Sequence, residues 1–161
     1  LGPSSIYNAF GSKEDLFRRA IGRYVETYAG ATMKKLASDD GEEAVEFVRK
    51  LMRGLVKLYT TKGLPTGCAI FQSGGSGAPS DSQACAITQQ INGGLEQALR
   101  QRFRAFADRG EELTASPRTL AQFIVGVLRG VSQLASDGAS RADLMKVVDH
   151  AAKSCVVGGQ P

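Results

Sequence analysis

A chain of 161 residues and 17.1 kDa is most economically one domain with its own core. Hydrophobic residues at 42% and charged residues at 22% exclude general disorder. No apolar run approaches the roughly 20 residues of a membrane-spanning helix, and three separated cysteines without Cys-x-x-Cys spacing argue against a disulfide scaffold or a zinc site. A net charge of +4 and a pI near 9.1 are compatible with a polyanionic partner without requiring one, and with no signal peptide at Leu1 a cytoplasmic location is expected.

The first element is a helix of about two turns opened by Pro3, whose fixed φ and missing amide hydrogen suit a first helical position. Ile6 and Phe10, at i and i+4, bury together and leave Ser4, Ser5, Tyr7 and Asn8 outward. Gly11 punctuates. Ser12 with Asp15 then forms a variant capping box, with Lys13 first in a helix over residues 13–37 whose Phe17, Ala20, Ile21, Tyr24, Tyr28 and Ala31 share one face. Asp40 with Glu43 caps a third helix carrying Val45, Val48, Leu51, Met52, Leu55, Leu58 and Tyr59, and residues 61–67 form a loop. Residues 68–72 are apolar and of open structure, and 73–79 are the most flexible by composition.

Ser80 with Gln83 caps a long helix buried along Ile87, Ile91, Leu95, Ala98, Leu99, Phe103 and Phe106. Gly93 and Gly94 lie mid-helix, each costing about 1 kcal/mol relative to Ala, so a kink, a close approach or local mobility is expected there. After Gly110, Ser116 and Pro117 start a helix with Leu120, Phe123, Ile124, Val127, Leu128, Val131 and Leu134 as its buried stripe. Ser140 with Asp143 caps a last helix with Leu144, Val147, Val148, Ala151, Ala152 and Cys155 on one face, and the short connection makes the final two an antiparallel hairpin. With no sustained period-two alternation, the fold class is all-α.

The run Ser5-Ile6-Tyr7, Phe10, Ser12-Lys13-Glu14, Leu16-Phe17 resembles the recognition helix and following helix of the TetR family of bacterial transcriptional regulators, agreeing at nine positions in type and spacing. The resemblance continues as an order of helices, through Gly67-Cys68 and the Gly-Ala-Ser-Arg-Ala-Asp-Leu segment that opens the last helix. It implies a TetR-like helical bundle, two further helices upstream of Leu1, residues 1–12 as a remnant of a helix-turn-helix domain, and residues 13–161 as a ligand-binding and dimerisation domain. It also implies a DNA-binding regulator, a repressor under the control of a small-molecule inducer.

Short polar side chains let a helix approach base edges, and flanking groups hold phosphates. Ser4, Ser5 and Asn8 suit the first task; Tyr7 and Lys13, by the resemblance, the second. The plainer reading is a capped helical corner with Tyr7 packed and Lys13 solvated. Gly126 and Gly130, four apart, lie with Ala121 and Val125 on a second apolar side of their helix, so these residues with Leu144 and Val148 are the expected two-fold interface of a homodimer whose hairpins form a four-helix bundle; the alternative is a monomer that tolerates the glycines.

An inducer cavity between the long helices has as candidates Tyr24, Tyr28, Leu55, Tyr59, Phe71, Gln72, Thr88, Ile91, Asn92, Leu95 and Phe123, a set suited to a lipophilic or aromatic uncharged ligand; aromatic residues at helical spacing are as readily plain core. Residues 74–77 lack a phosphate-loop ending, and the single His150 has no metal or triad partner, so no cofactor and no enzyme activity is expected. Cys68 and Cys85 read as a pair that oxidation could join or as plain thiols. The other reading of the whole chain is an all-α protein-protein interaction adaptor without DNA binding.

Overall fold

A computed structural model of the chain describes residues 11–38, 40–73 and 83–158. Among these the chain is helical, without a strand. The order is α1 (Lys13–Tyr24), a π turn (Val25–Ala29), α2 (Gly30–Ala37), α3 (Ala44–Tyr59), α4 (Ala69–Ser73), α5 (Gln83–Asp108), α6 (Pro117–Ser136) and α7 (Arg141–Lys153). The all-α class is as expected, and the order of helices follows the sequence closely. The single helix expected over 13–37 carries a π turn at its centre, and the open segment after Gly67 is the short helix α4.

Three of the expected caps form. The Ser12 hydroxyl accepts the Asp15 amide at 3.0 Å, Ser116 the Thr119 amide at 3.1 Å, and Ser140 the Asp143 amide at 3.1 Å. The cap expected from Asp40 and Glu43 does not: Glu43 is the cap residue of α3 but makes no side-chain cap bond. The Ala44 amide donates instead to the Glu111 carboxylate at 2.7 Å, a partner from the loop after α5 that no local pattern could reveal. Ser80 lies outside the described residues, and α5 runs through Gly93 and Gly94 unbroken with open space at both, so no neighbour approaches there.

The core is built where α3, α5, α6 and α7 meet. Phe47, Met52, Val56 and Tyr59 of α3 pack with Leu99, Phe103 and Phe106 of α5, and with Ile124 and Leu128 of α6 and Leu144 and Val148 of α7, all buried. Arg102 is buried among them, its guanidinium 4.8 Å from the Phe47 ring and 4.9 Å from the Phe106 ring. On the outer side of this layer Arg53 of α3 grips Asp149 of α7, Nε to Oδ1 at 2.7 Å.

The inner arc of α6 is turned from the expected one. Leu120, Ile124, Leu128 and Val131 are buried as expected, but Ala121, Val125, Ser132 and Ala135 complete the buried arc, while Phe123 (40% exposed) and Leu134 (44%) face outward. The helix is enclosed by α5 on one side and α3 and α7 on the other, which draws in its small residues. Ala121, Val125, Leu144 and Val148 therefore belong to the chain's own core and offer no surface to a second copy. Gly126 and Gly130 are exposed, with open space where a Cβ would stand, and share one outer side of α6 with Phe123 and Leu134; Val147 of α7 is also exposed (41%).

Candidate functional site

The cavity forms where the π turn passes over the α3, α4 and α5 helices, a narrow hollow of about 50 Å³ that opens to solvent. Tyr24, Tyr28 and Ala29 come from the first long helix with Thr32; Leu55, Leu58 and Tyr59 from α3; Cys68, Ile70 and Phe71 from α4 and its approach; Ile91, Asn92 and Leu95 from α5. Eight of the eleven sequence candidates thus meet: Tyr24, Tyr28, Leu55, Tyr59, Phe71, Ile91, Asn92 and Leu95. Gln72 lines a second hollow beside it, which shares Tyr24, Tyr28 and Leu58 and is closed by residues 64–67.

Two candidates lie elsewhere. Thr88 is buried but turns its hydroxyl to the Cys85 carbonyl at 2.9 Å, in its own helix, and lines neither hollow. Phe123 stands on the outer side of α6. The sequence reading missed Cys68, Ile70, Thr32, Ala29 and Leu58. Ala29 reaches the wall because of the π turn, Thr32 because it stands one α-helical turn beyond Tyr28, and Cys68 and Ile70 because α4 is folded back under the cavity.

That fold-back is held to α6. Gly67 has φ +81, the left-handed region that glycine alone enters freely, and its Cα lies against the Ser132 carbonyl, where an added Cβ would sit 2.7 Å from the oxygen. The Cys68 amide donates to the Ser132 hydroxyl at 2.7 Å, Gln72 bonds Ser136 and the Thr66 carbonyl, and Arg129 stands 5.7 Å over the Phe71 ring. Ser132 is therefore a buried polar group in an apolar helix for a reason: it seats the cavity wall.

No charged side chain lines the inner cavity. The lining side chains that carry polar groups are Tyr24, Tyr28, Tyr59, Thr32, Asn92 and Cys68. The Cys68 thiol lies beside the hydroxyls of Tyr24 and Tyr59, and the Ala69 backbone beside that of Tyr24. Burial first and the thiol second push both tyrosine pKa values above the ordinary 10.0, so both stay neutral donors at any physiological pH.

An unfolded tyrosine ionises near 10.0 while these hold their protons higher, so the unfolded state binds fewer protons above that pH. The stability they confer is fully present below 10.0 and is lost as pH rises toward the folded values. Urea unfolding on either side of that pH is expected to show a fall in midpoint that Tyr59→Phe reduces and Tyr24→Phe/Tyr59→Phe largely removes; an equal fall in the double variant would contradict this assignment.

Of the expected DNA-contacting residues, Ser4, Ser5, Tyr7 and Asn8 lie outside the described residues. Lys13 is exposed at the first position of α1. There the unpaired amides already form the positive end of the helix dipole, which a cation opposes and an anion complements. Arg18 and Arg23 follow on the exposed surface, Arg18 beside Asp15 at 3.7 Å. Cys85 is half-buried on α5 and no disulfide joins it to Cys68; Cys155 is buried, its thiol pushed up to about 12 by desolvation. His150 is exposed near the end of α7, and among the described residues no three His, Cys, Asp or Glu side chains are grouped to hold a metal. No described helix is long and apolar enough to cross a membrane.

No family model matches the chain. The HTH-type transcriptional repressor ComR of Escherichia coli (strain K12) is 26% identical over 145 residues, 89% of this chain and 68% of that protein. A cysteine-substituted form of the TetR family transcriptional regulator CifR, complexed with 26 bp double-strand operator DNA, superposes with a TM-score of 0.82 at 31% identity, over 96% of this chain and 80% of that one. A second such form, also complexed with operator DNA, gives 0.83 at 30% identity and the same coverage. With an all-helical architecture shared over nearly its whole length and close to a third of its residues in common, this chain belongs to the TetR family of DNA-binding transcriptional regulators.

Proposed function

We propose that this regulator is a homodimeric repressor whose hold on operator DNA is relieved by a neutral lipophilic molecule in the cavity beneath the π turn. The observation that carries the reading is the cavity wall itself: Tyr24, Tyr28 and Ala29 belong to the same long helix whose first residue is Lys13. A molecule that displaces those three side chains bears on the far end of the helix that begins beside the expected recognition segment. The absence of any charged group from the lining, whose exposed surface is almost wholly apolar, favours an uncharged lipophilic ligand.

Ser4, Ser5 and Asn8 would read base edges in the major groove, with Tyr7 and Lys13 on phosphates. The two recognition segments of a dimer must lie about 34 Å apart to enter successive major grooves, so a ligand that alters that spacing lowers affinity. The dimer would form through the exposed Phe123, Gly126, Gly130, Leu134 and Val147, where glycines admit a close helix approach. Fluorescence anisotropy of the full-length protein on a duplex selected from a randomised pool tests the DNA part. Affinity should fall steeply with salt, and Lys13→Ala should weaken binding to all sequences alike and reduce the salt slope by about 1 per recognition unit. Binding that is indifferent to salt would contradict it.

A further inference from the structure

The first long helix is continuous in outline but changes its pitch over the cavity. Between α1 and α2 the backbone makes a π turn at Val25–Ala29. In an α-helix Tyr24 and Ala29, five residues apart, would point about 140° away from each other. The wider π turn brings positions i and i+5 toward one side, and here both line the cavity together with Tyr28. No residue of the turn is fully buried; Val25, Tyr28 and Ala29 are half-buried, Val25 against the edge of the core and the other two in the cavity wall.

Gly22 and Gly30 bracket the turn, and an added Cβ would meet no atom within 4 Å at either. Neither glycine serves a close contact, and alanine would favour the helix at both positions. Other helices here also carry such glycines, Gly54 and Gly93 among them; only this pair flanks a π turn among the described residues. Each side of the turn has one buried residue among the described side chains, and the side beyond it is tied further by ion pairs. Beyond it, Leu36 is buried in the core and Lys35 is paired with Asp40 and Glu42. Before it, Ile21 is the one buried residue of α1.

We infer that Val25–Ala29 is a hinge whose helical pitch is set by what occupies the cavity, and about which α1 swings on a fixed α2. Displacing Tyr24, Tyr28 and Ala29 shifts the turn between π and α geometry. The difference of one residue is worth about 100° of rotation and 1.5 Å of rise, delivered to the helix that begins at Lys13. This rests on the proposed reading that the cavity takes a ligand and that α1 carries its effect to DNA.

The test uses the full-length protein, a selected operator duplex and N-phenylnaphthylamine, a neutral fluorescent aromatic, as the cavity probe. The variant Gly22→Ala/Gly30→Ala should melt higher than the parent and bind the probe and the probe-free duplex within about threefold of it. The probe-induced loss of operator affinity should shrink by about tenfold or more. Amide exchange across Val25–Ala29 should be faster than in α1 and α2 in the parent, change when the probe binds, and be slowed in the variant. A variant that releases the duplex as the parent does would overturn the hinge, as would parent exchange in the turn equal to its flanks and unmoved by bound probe. Should the parent fail to bind the probe, or bind it without releasing DNA, the proposed ligand control fails instead. The hinge is then decided by the exchange contrast between parent turn, parent flanks and variant turn alone.

Discussion

Gly67→Ala should destabilise the protein by about 3 kcal/mol and lower its Tm by roughly 6–12 °C. Two costs combine at this position. A side chain at φ +81 is strained in itself, and its Cβ would be driven to 2.7 Å from the Ser132 carbonyl oxygen, a backbone atom of a buried helix that cannot step aside. The Gln72 and Ser136 side chains close the remaining space. Because Gly67 leads into the segment that seats Cys68, Ile70 and Phe71 under the cavity, the surviving folded protein should also bind ligand less tightly. The control is Gly94→Ala, with a helical backbone and open space, which should instead stabilise by about 1 kcal/mol. Thermal unfolding of the two variants beside the parent decides the matter: opposite signs are expected, and a Gly67→Ala protein as stable as the parent would contradict this geometry.

The second large effect is expected at Gly130. The position is exposed and mid-helix with open space around a Cβ, so Gly130→Arg should leave the single chain folded, with a Tm at or slightly above the parent's when the protein is dilute. In the proposed dimer the same arginine would stand where two helices approach most closely, splaying them and burying an unpaired charge. Sedimentation should show a monomer, and operator affinity should fall by about a hundredfold or more, because two half-site contacts that had acted as one now act separately. A Gly130→Arg protein that sediments with the parent's mass would place the dimer contact elsewhere.

The helices themselves were legible in the sequence because their signals are local. Ser12, Ser116 and Ser140 cap from three residues away, and the periodicity of Leu120, Ile124, Leu128 and Val131 needs no knowledge of what lies opposite. Most of the cavity was legible for a similar reason, since Tyr24, Tyr28, Leu55 and Tyr59 stand out as aromatic and apolar residues on facing helices. What escaped depends on partners far along the chain. The α3 cap comes from Glu111, and Ala121 and Val125 turn inward because α6 is enclosed on two sides, leaving the larger Phe123 and Leu134 outside. An apolar residue on a helix with two apolar sides carries no mark of which side faces its own core. The π turn escaped because the spacing of Tyr24, Tyr28 and Ala31 fits a plain α-helix equally well, and Cys68 entered the wall only through a fold-back fixed by Ser132.

The measurement that bears most directly on the central claim is a paired titration. Neutral aromatic and lipophilic compounds are ranked by how far they raise the Tm of the full-length protein, and each is then titrated into the protein bound to its operator duplex. Compounds that stabilise the protein should release the DNA over the same range of concentration, and Leu95→Trp, which fills the cavity from α5, should abolish both responses together. Compounds that raise the Tm of the parent, lose that effect in Leu95→Trp, and yet leave the parent's operator affinity unchanged would show a cavity that binds without regulating, and the account would be wrong.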